Sequence, residues 1–486
     1  MRARSLAWAA ALVPAAIAAC ASDDSTPATT PNGVVDAAVI DASADFPDGS
    51  APDAAGSDSA IDVDGAAPLE DGELAPGGAT TTTDTDAGAF AEQAANLGID
   101  RRSTFEAGLQ FFQVAWEKAP GRAETDGLGP TYVADACPAC HVHDGRGHLD
   151  TVLLRIGLGP DGGVDPNYGL QLQPFAVAGA SGEGTPRRIE TTIDHLRADG
   201  TTAPLVGVSY AVDDLHFGPF GDDVRLSARI APQLVGQGLL EAVSDADIVA
   251  NEDPDDRDGD GISGRAHRTS SGAIGRFGWK AAQPSIDAQV AAAFAEDVGI
   301  TSSFHPDANC PGAQTTCAST PNGGEPEIND ARLATTVAYV RLLGVPPRRD
   351  GAAHDVLVGK ALFAKVGCAS CHRPSFTTTA ATSEVALASQ KIWPYTDLLL
   401  HDLGEGLADH RVEGDAGERE WRTAPLWSIG LLTTVGGERR LLHDGRATTI
   451  DEAVMWHDGE AASARQKYEA LVPAERALVD RFVDSL

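Results

Sequence analysis

The chain has 486 residues, a formal net charge of −35 and a pI near 4.5. Such acidity repels phosphate backbones, so nucleic acid is excluded as an expected partner. Seven cysteines are too few for a disulfide scaffold, and two methionines leave almost no thioether to offer a metal.

Arg2 and Arg4 precede an apolar run, Leu6 to Ala19, too short to span a bilayer. Residues 1–20 therefore read as a secretion signal. The run closes on Ile17-Ala18-Ala19-Cys20, which resembles a bacterial lipobox. That predicts lipidation of Cys20, export, and a lipid anchor on the periplasmic or cell-surface side of a bacterial membrane. Residues 21–90 hold fifteen carboxylates and no Lys or Arg among Ala, Gly, Thr, Ser and Pro. So little apolar surface cannot offset the entropy of ordering, and the segment reads as a disordered acidic tether.

The remaining length suits two domains, 91–350 and 351–486. Apolar residues at three-to-four spacing predict helices over 104–117, 285–297, 331–343, 354–366, 449–457 and 474–486. Gly and Pro crowd the stretches between them.

Each domain carries one Cys-x-x-Cys-His: Cys137-Pro138-Ala139-Cys140-His141, and 231 residues on, Cys368-Ala369-Ser370-Cys371-His372. This spacing is the c-type haem attachment signature. Two thiols on one helical turn reach both vinyl groups of a porphyrin, and the next His lies under the iron. A zinc knuckle would pair such motifs without a fixed trailing His. Two covalently bound haem c groups are expected, with His141 and His372 as proximal iron ligands. The expected fold class is mainly α with long irregular loops, arranged as two cytochrome c-like haem domains. Cys310 and Cys317 remain, and read as a short-loop disulfide.

An internal echo follows each motif. Arg229-Ile230-Ala231-Pro232 comes after the first and Arg422-Thr423-Ala424-Pro425 after the second, which suggests an old duplication of a haem-binding unit. Between them, Asp256, Asp258 and Asp260 alternate before Gly261, as in a calcium loop. The bidentate Glu expected at position twelve is missing, and His267 stands there, so an acidic turn reads equally well.

Several further runs carry a resemblance. They are Asp253 to Arg265 with Gly275-Arg276-Phe277-Gly278-Trp279-Lys280, Pro394 to Asp402, Glu420 to Trp427, and Leu442-His443-Asp444-Gly445-Arg446-Ala447. Together they resemble the dihaem oxidoreductase family, also labelled thiol oxidoreductase, over roughly residues 95–486. More distantly they are similar to bacterial dihaem cytochrome c peroxidases. Those enzymes place the distal Met of their electron-transfer haem about fourteen residues after the His of a His-Asp-Gly. Counted from His443, that position is His457. Met455 lies about 200° away around a helix at 3.6 residues per turn, so both cannot face one iron. The resemblance thus implies His457 as sixth ligand of the second haem, with Met455 as runner-up. It also lends some support to calcium, which those peroxidases hold between domains.

The first haem has no such partner. His143 and His148 lie too close to the attachment site to swing over the opposite face. His195, His216, His267 and Lys280 are candidate distal ligands, and an open sixth position is the other reading. Peroxide cleavage also needs a base and a cation. Glu241 is the candidate base; Arg229 is the candidate cation, beside Arg265 and Arg276. Trp279 and Trp421 are candidates for shortening electron hops between haems. The expected function is a peroxidase-like dihaem oxidoreductase, fed or drained by a small redox protein. The alternative is a non-catalytic dihaem electron-transfer cytochrome.

Overall fold

The computed structural model describes residues 65–122, 125–197 and 199–486. The signal peptide, Cys20 and the tether up to residue 64 lie outside the described residues.

The described part of the tether packs. Glu73 is fully buried, and its carboxylate meets Arg348, Lys360 Nζ (2.7 Å) and the Tyr395 hydroxyl (3.0 Å). Thr82 N–H donates to Val345 O at 2.9 Å, and Phe90 is fully buried. The folded body therefore begins near residue 65 and not at 91. A low-complexity composition hid one carboxylate that is anchored by two cations.

The six expected helices form, as Ile99–Gln113, Ile286–Ala293, Asp330–Arg341, His354–Val366, Ile450–Met455 and Pro473–Ser485; His354–Val366 keeps its expected ends and the other five shift. Their starts follow capping chemistry. Ser285 Oγ accepts from Ala288 N–H (3.1 Å), Asn329 Oδ1 from Arg332 N–H (3.0 Å) and Thr449 Oγ1 from Glu452 N–H (3.1 Å). Pro473 opens the last helix, where its missing N–H costs nothing.

Two helix pairs carry the Cys-x-x-Cys-His turns. Ile99–Gln113 packs on Asp330–Arg341, and His354–Val366 on Pro473–Ser485. Each pair closes over a glycine. A Cβ on Gly108 would lie 2.7 Å from Tyr339 Cβ, and one on Gly359 would lie 2.8 Å from Phe482 Cβ. Only glycine lets the backbones approach this closely.

The fold class needs correction. Helix accounts for 30% of the residues and strand for 16%, in five two-stranded antiparallel sheets, so the chain is not mainly α. The largest sheet is a hairpin of Thr185–Leu196 and Thr202–Asp213, paired in unbroken register from Thr185↔Asp213 to Leu196↔Thr202. Leu153–Leu158 pairs with Val224–Arg229, and Leu400–Asp402 with Glu420–Arg422. The period-2 run Val206-Gly-Val208-Ser-Tyr210-Ala-Val212 carried that strand signal. Nor are two separate cytochrome c-like haem domains seen. One hydrophobic cluster runs from Ala89 through Val345 and Val356 to Leu486, across the expected division at residue 350. No helix among the described residues is long and apolar enough to cross a membrane.

Candidate functional site

The second CxxCH begins where a helix stops. Gly367 takes φ 101°, ends His354–Val366, and turns Cys368–Ser370 into a single 3-10 turn. His372 N–H then donates to Cys368 O at 2.9 Å. The first motif is built alike: Cys137–Cys140 is one helical turn, and His141 N–H donates to Cys137 O at 3.0 Å. In both, the two thiols and the imidazole leave one turn.

Cys368, Cys371, His372 and His457 line one cavity, with an empty volume of ≈ 1630 Å³ that includes open solvent. Its wall is largely apolar: Phe363, Leu403, Leu426 and Val454 contribute, with Trp279 and Trp421. His372 Nδ1 lies 2.9 Å from Tyr395 O, and His457 Nδ1 lies 2.7 Å from Ala453 O. A carbonyl only accepts, so both rings carry the proton on Nδ1 and leave the Nε2 lone pair free. Burial pushes His372 down to about 4 and lowers His457 as well, so both are neutral at pH 7. Met455 is instead buried in the hydrophobic core, apart from the cavity wall.

His401 also lines this cavity, and sequence reading gave it no role beyond a motif. Its Nε2 meets Asp397 Oδ2 at 2.9 Å and its Nδ1 meets Glu460 Oε2 at 2.7 Å. Although burial opposes charge, the two carboxylates hold His401 well above the usual imidazole range, as a cation. Cys371 Sγ lies 3.7 Å from His401 Nδ1. Glu460 accepts from Ser263 N–H at 3.0 Å, which ties the acidic loop to the cavity wall. In that loop Asp256, Asp258 and Asp260 bring three carboxylates within 4.8 Å of one another, on an exposed turn.

Around the first motif the surroundings differ. His141 is pushed down to about 4 by burial, lies beside the backbone of Gly145 and Pro232, and its Nδ1 has no hydrogen bond of ordinary geometry. Phe112 faces it at 6.4 Å between ring centroids. Two carboxyls that the sequence did not flag sit close by. Asp144, three residues on, accepts from the Tyr339 hydroxyl at 2.9 Å and is raised to about 6 by burial. Asp297 is likewise raised to about 6 by burial, and its charge bears on Cys137 and Cys140.

The candidate distal ligands of the first haem have partners elsewhere. His195 meets Glu469 (3.1 Å), His216 meets Gly182 O (2.5 Å), and His267 meets Lys280 O (2.8 Å). Lys280 is fully buried with its ammonium on Asp409 Oδ1 at 2.7 Å. His143 turns to Val435 O at 3.0 Å, and His148 lies 3.7 Å from Glu438. Glu241 accepts from Arg341 (2.6 Å) and from Ile286 N–H (2.9 Å). Arg229 pairs with Glu413 at 2.7 Å and Asp409 at 3.4 Å. Arg265 pairs with Glu420 and Asp415, and Arg276 with Asp245. Each of these groups is thus held by a hydrogen bond or an ion pair within the protein.

The wall of the second motif's cavity also carries an aromatic stack. Trp421 and His443 stack at 3.7 Å and 10°, and Lys280 Nζ sits over the Trp421 ring at 4.6 Å. Trp421 Nε1–H donates to Leu407 O (2.9 Å), and Trp279 Nε1–H to Ile230 O (2.8 Å). The sequence echo maps onto the sites: Pro232 lies beside His141, while Arg422 to Pro425 line the second cavity. Cys310 and Cys317 form a disulfide remote from both turns in sequence.

The donor set fits haem better than a thiolate metal site. Burial pushes Cys137, Cys140 and Cys368 up to about 12, which disfavours the thiolate that zinc or a redox dithiol requires. Neutral thioethers suit such surroundings. Two neutral imidazoles with free Nε2 atoms on one cavity, His372 and His457, are donors that would hold a haem iron, which would supply one-electron redox chemistry.

A family model described as "Di-haem oxidoreductase, putative peroxidase" matches residues 72–161 and 210–486. The unmatched stretch between them holds one strand of the long hairpin and most of the other. No curated protein and no solved structure matches the chain.

Proposed function

The chain belongs to the di-haem oxidoreductase family, and from that premise we propose that it takes electrons from a small redox protein at the second motif and delivers them to peroxide at the first. Both haems are read as covalent c-type groups, on Cys137 and Cys140 and on Cys368 and Cys371. When bound, they supply one-electron redox chemistry and an iron that can take an oxidant. Reduction of peroxide to two waters consumes two electrons and two protons.

The observation that carries this reading is the inequality of the two sites. His372 and His457 offer two neutral Nε2 donors to one cavity, which suits a closed, six-coordinate iron that exchanges electrons. His141 stands with no comparable partner among the candidates named above. Its neighbours are carboxyls in the range of proton transfer: Asp144, fed by Tyr339, and Asp297. They give the first site a means of moving protons. The Trp421–His443 stack is the best-placed aromatic relay, held rigid by Lys280 and Leu407. Export, lipid anchoring at Cys20 and a periplasmic or cell-surface position complete the proposal, since c-type haem is attached outside the bacterial cytoplasm.

Stopped-flow mixing of the half-reduced protein with hydrogen peroxide tests it. Oxidation within the mixing range, and turnover with a reduced small cytochrome or copper protein, are expected. Two low-spin haems indifferent to peroxide would instead mark an electron carrier.

A further inference from the structure

Ten Lys and Arg side chains are buried among the described residues. Eight of them lie against a carboxylate. Arg146 and Arg422 do not. Arg146 Nε and Nη2 donate to Gln233 Oε1 at 3.2 and 3.1 Å, and Nη1 donates to Arg440 O at 2.9 Å. Arg422 Nε donates to Gly278 O at 3.1 Å and Nη1 to Thr423 O at 3.3 Å. Every partner is neutral. A buried cation held only by neutral hydrogen-bond partners is costly, and two of them near one another cost more. Burial pushes each down to about 10; Arg422 adds to the lowering at Arg146, while the charge of Asp397 offsets part of it at Arg422.

Both side chains line the cavity that holds Cys368, Cys371, His372 and His457. They also flank one aromatic: Arg146 sits over the Trp279 ring at 5.4 Å, while Arg422 N–H donates to Trp279 O at 2.9 Å. Of the other charged groups on this wall, Glu460 is committed to His401, Arg465 pairs with Asp458 and Glu469, and Asp260 and Lys467 are exposed. Arg146 and Arg422 are thus two buried positive charges on this wall with no carboxylate in hydrogen-bond contact.

We infer that Arg146 and Arg422 bind the two propionate carboxylates of the haem attached at the second motif. This rests on the reading that a haem occupies the cavity. Two propionates leave the same edge of a haem, so two adjacent guanidiniums match them in number, sign and disposition. Arg146 lies five residues after His141, on the loop of the first motif. The second haem is therefore gripped by the first haem's own loop, and the two sites share a direct charged contact.

The test uses the full holoprotein with Arg146→Gln, Arg422→Gln, the pair, and the Lys versions of each. Haem content per chain is counted first; one haem in the wild type would refute the occupancy reading, and the inference with it. With two haems present, each Gln variant should lower the midpoint potential of the low-spin second haem, and the pair should lower it further. Its propionate bending band in the resonance Raman spectrum should also move. The Lys versions keep the charge and lose the fork, so they should move the Raman band with little change in potential. They serve where a Gln variant fails to fold. Unchanged potential and unchanged band with two haems present would overturn the inference. A wild-type potential that depends on added inorganic phosphate, lost in the variants, would assign the pair to an external anion and also overturn it.

Discussion

Two residues apart, Met455 and His457 have opposite surroundings: Met455 is buried in the core, whereas His457 lines the cavity with its Nδ1 held by Ala453 O. Helical spacing shows only that the two cannot share one iron, because about 200° of rotation separates them; the resemblance to dihaem peroxidases is what implies His457. His457→Gly is expected to turn the second haem alone from low to high spin, read by visible absorption; an unchanged spectrum would remove His457 as a ligand. What spacing could not show is charge environment. His401 looked like one histidine of a motif, yet its two carboxylate partners come from Asp397 and, 59 residues away, Glu460. Glu183 is a second such case. It is fully buried, with Gln173 N–H and Gln314 Nε2–H as donors, and burial raises it to about 8. A carboxyl raised on folding keeps a proton that the unfolded chain releases near 4.3. Its contribution is therefore present at low pH and lost as pH rises from about 4.5 to 8. Glu183→Gln should melt higher than wild type at pH 8, by about 1–2 kcal/mol, and near wild type at pH 5. Equal differences at both pH values in thermal melts would contradict this.

At the scale of elements, the helices are readable because each has a three-to-four apolar period and three of the six have a polar cap. The boundaries moved by a few residues where caps outweighed periodicity, as at Asn329 and Thr449. The long hairpin was passed over because Thr, Arg and Glu break its hydrophobic signal; only its second strand alternates clearly. It also lies largely outside the region matched by the family. It is strapped to helix Ile450–Met455 by Val206 N–H to Glu452 Oε1 at 3.1 Å and by Arg197 on Asp451. The helix pair beneath the second motif depends on a close approach that sequence alone did not reveal. Gly359→Ala should destabilise the fold by about 1–3 kcal/mol, because the added Cβ meets Leu478 and Phe482 with no room to relax. Denaturant titration measures it, and a change under 0.5 kcal/mol would mean the helices can part freely.

Over the whole molecule, the sequence showed two haem motifs and an echo but not how they are joined. The join is a shared core and a shared wall: Arg146, on the first motif's loop, and Trp279 line the second cavity beside the Trp421–His443 stack. Long-range packing of this kind leaves no local period to read. The account's central claim is that the two haems are unequal, with the second closed by His372 and His457 and the first open to an oxidant. Low-temperature electron paramagnetic resonance of the fully oxidised holoprotein tests it most directly. One low-spin bis-histidine signal and one high-spin signal, in equal amounts, are expected. Two low-spin signals, or a single haem per chain, would contradict it.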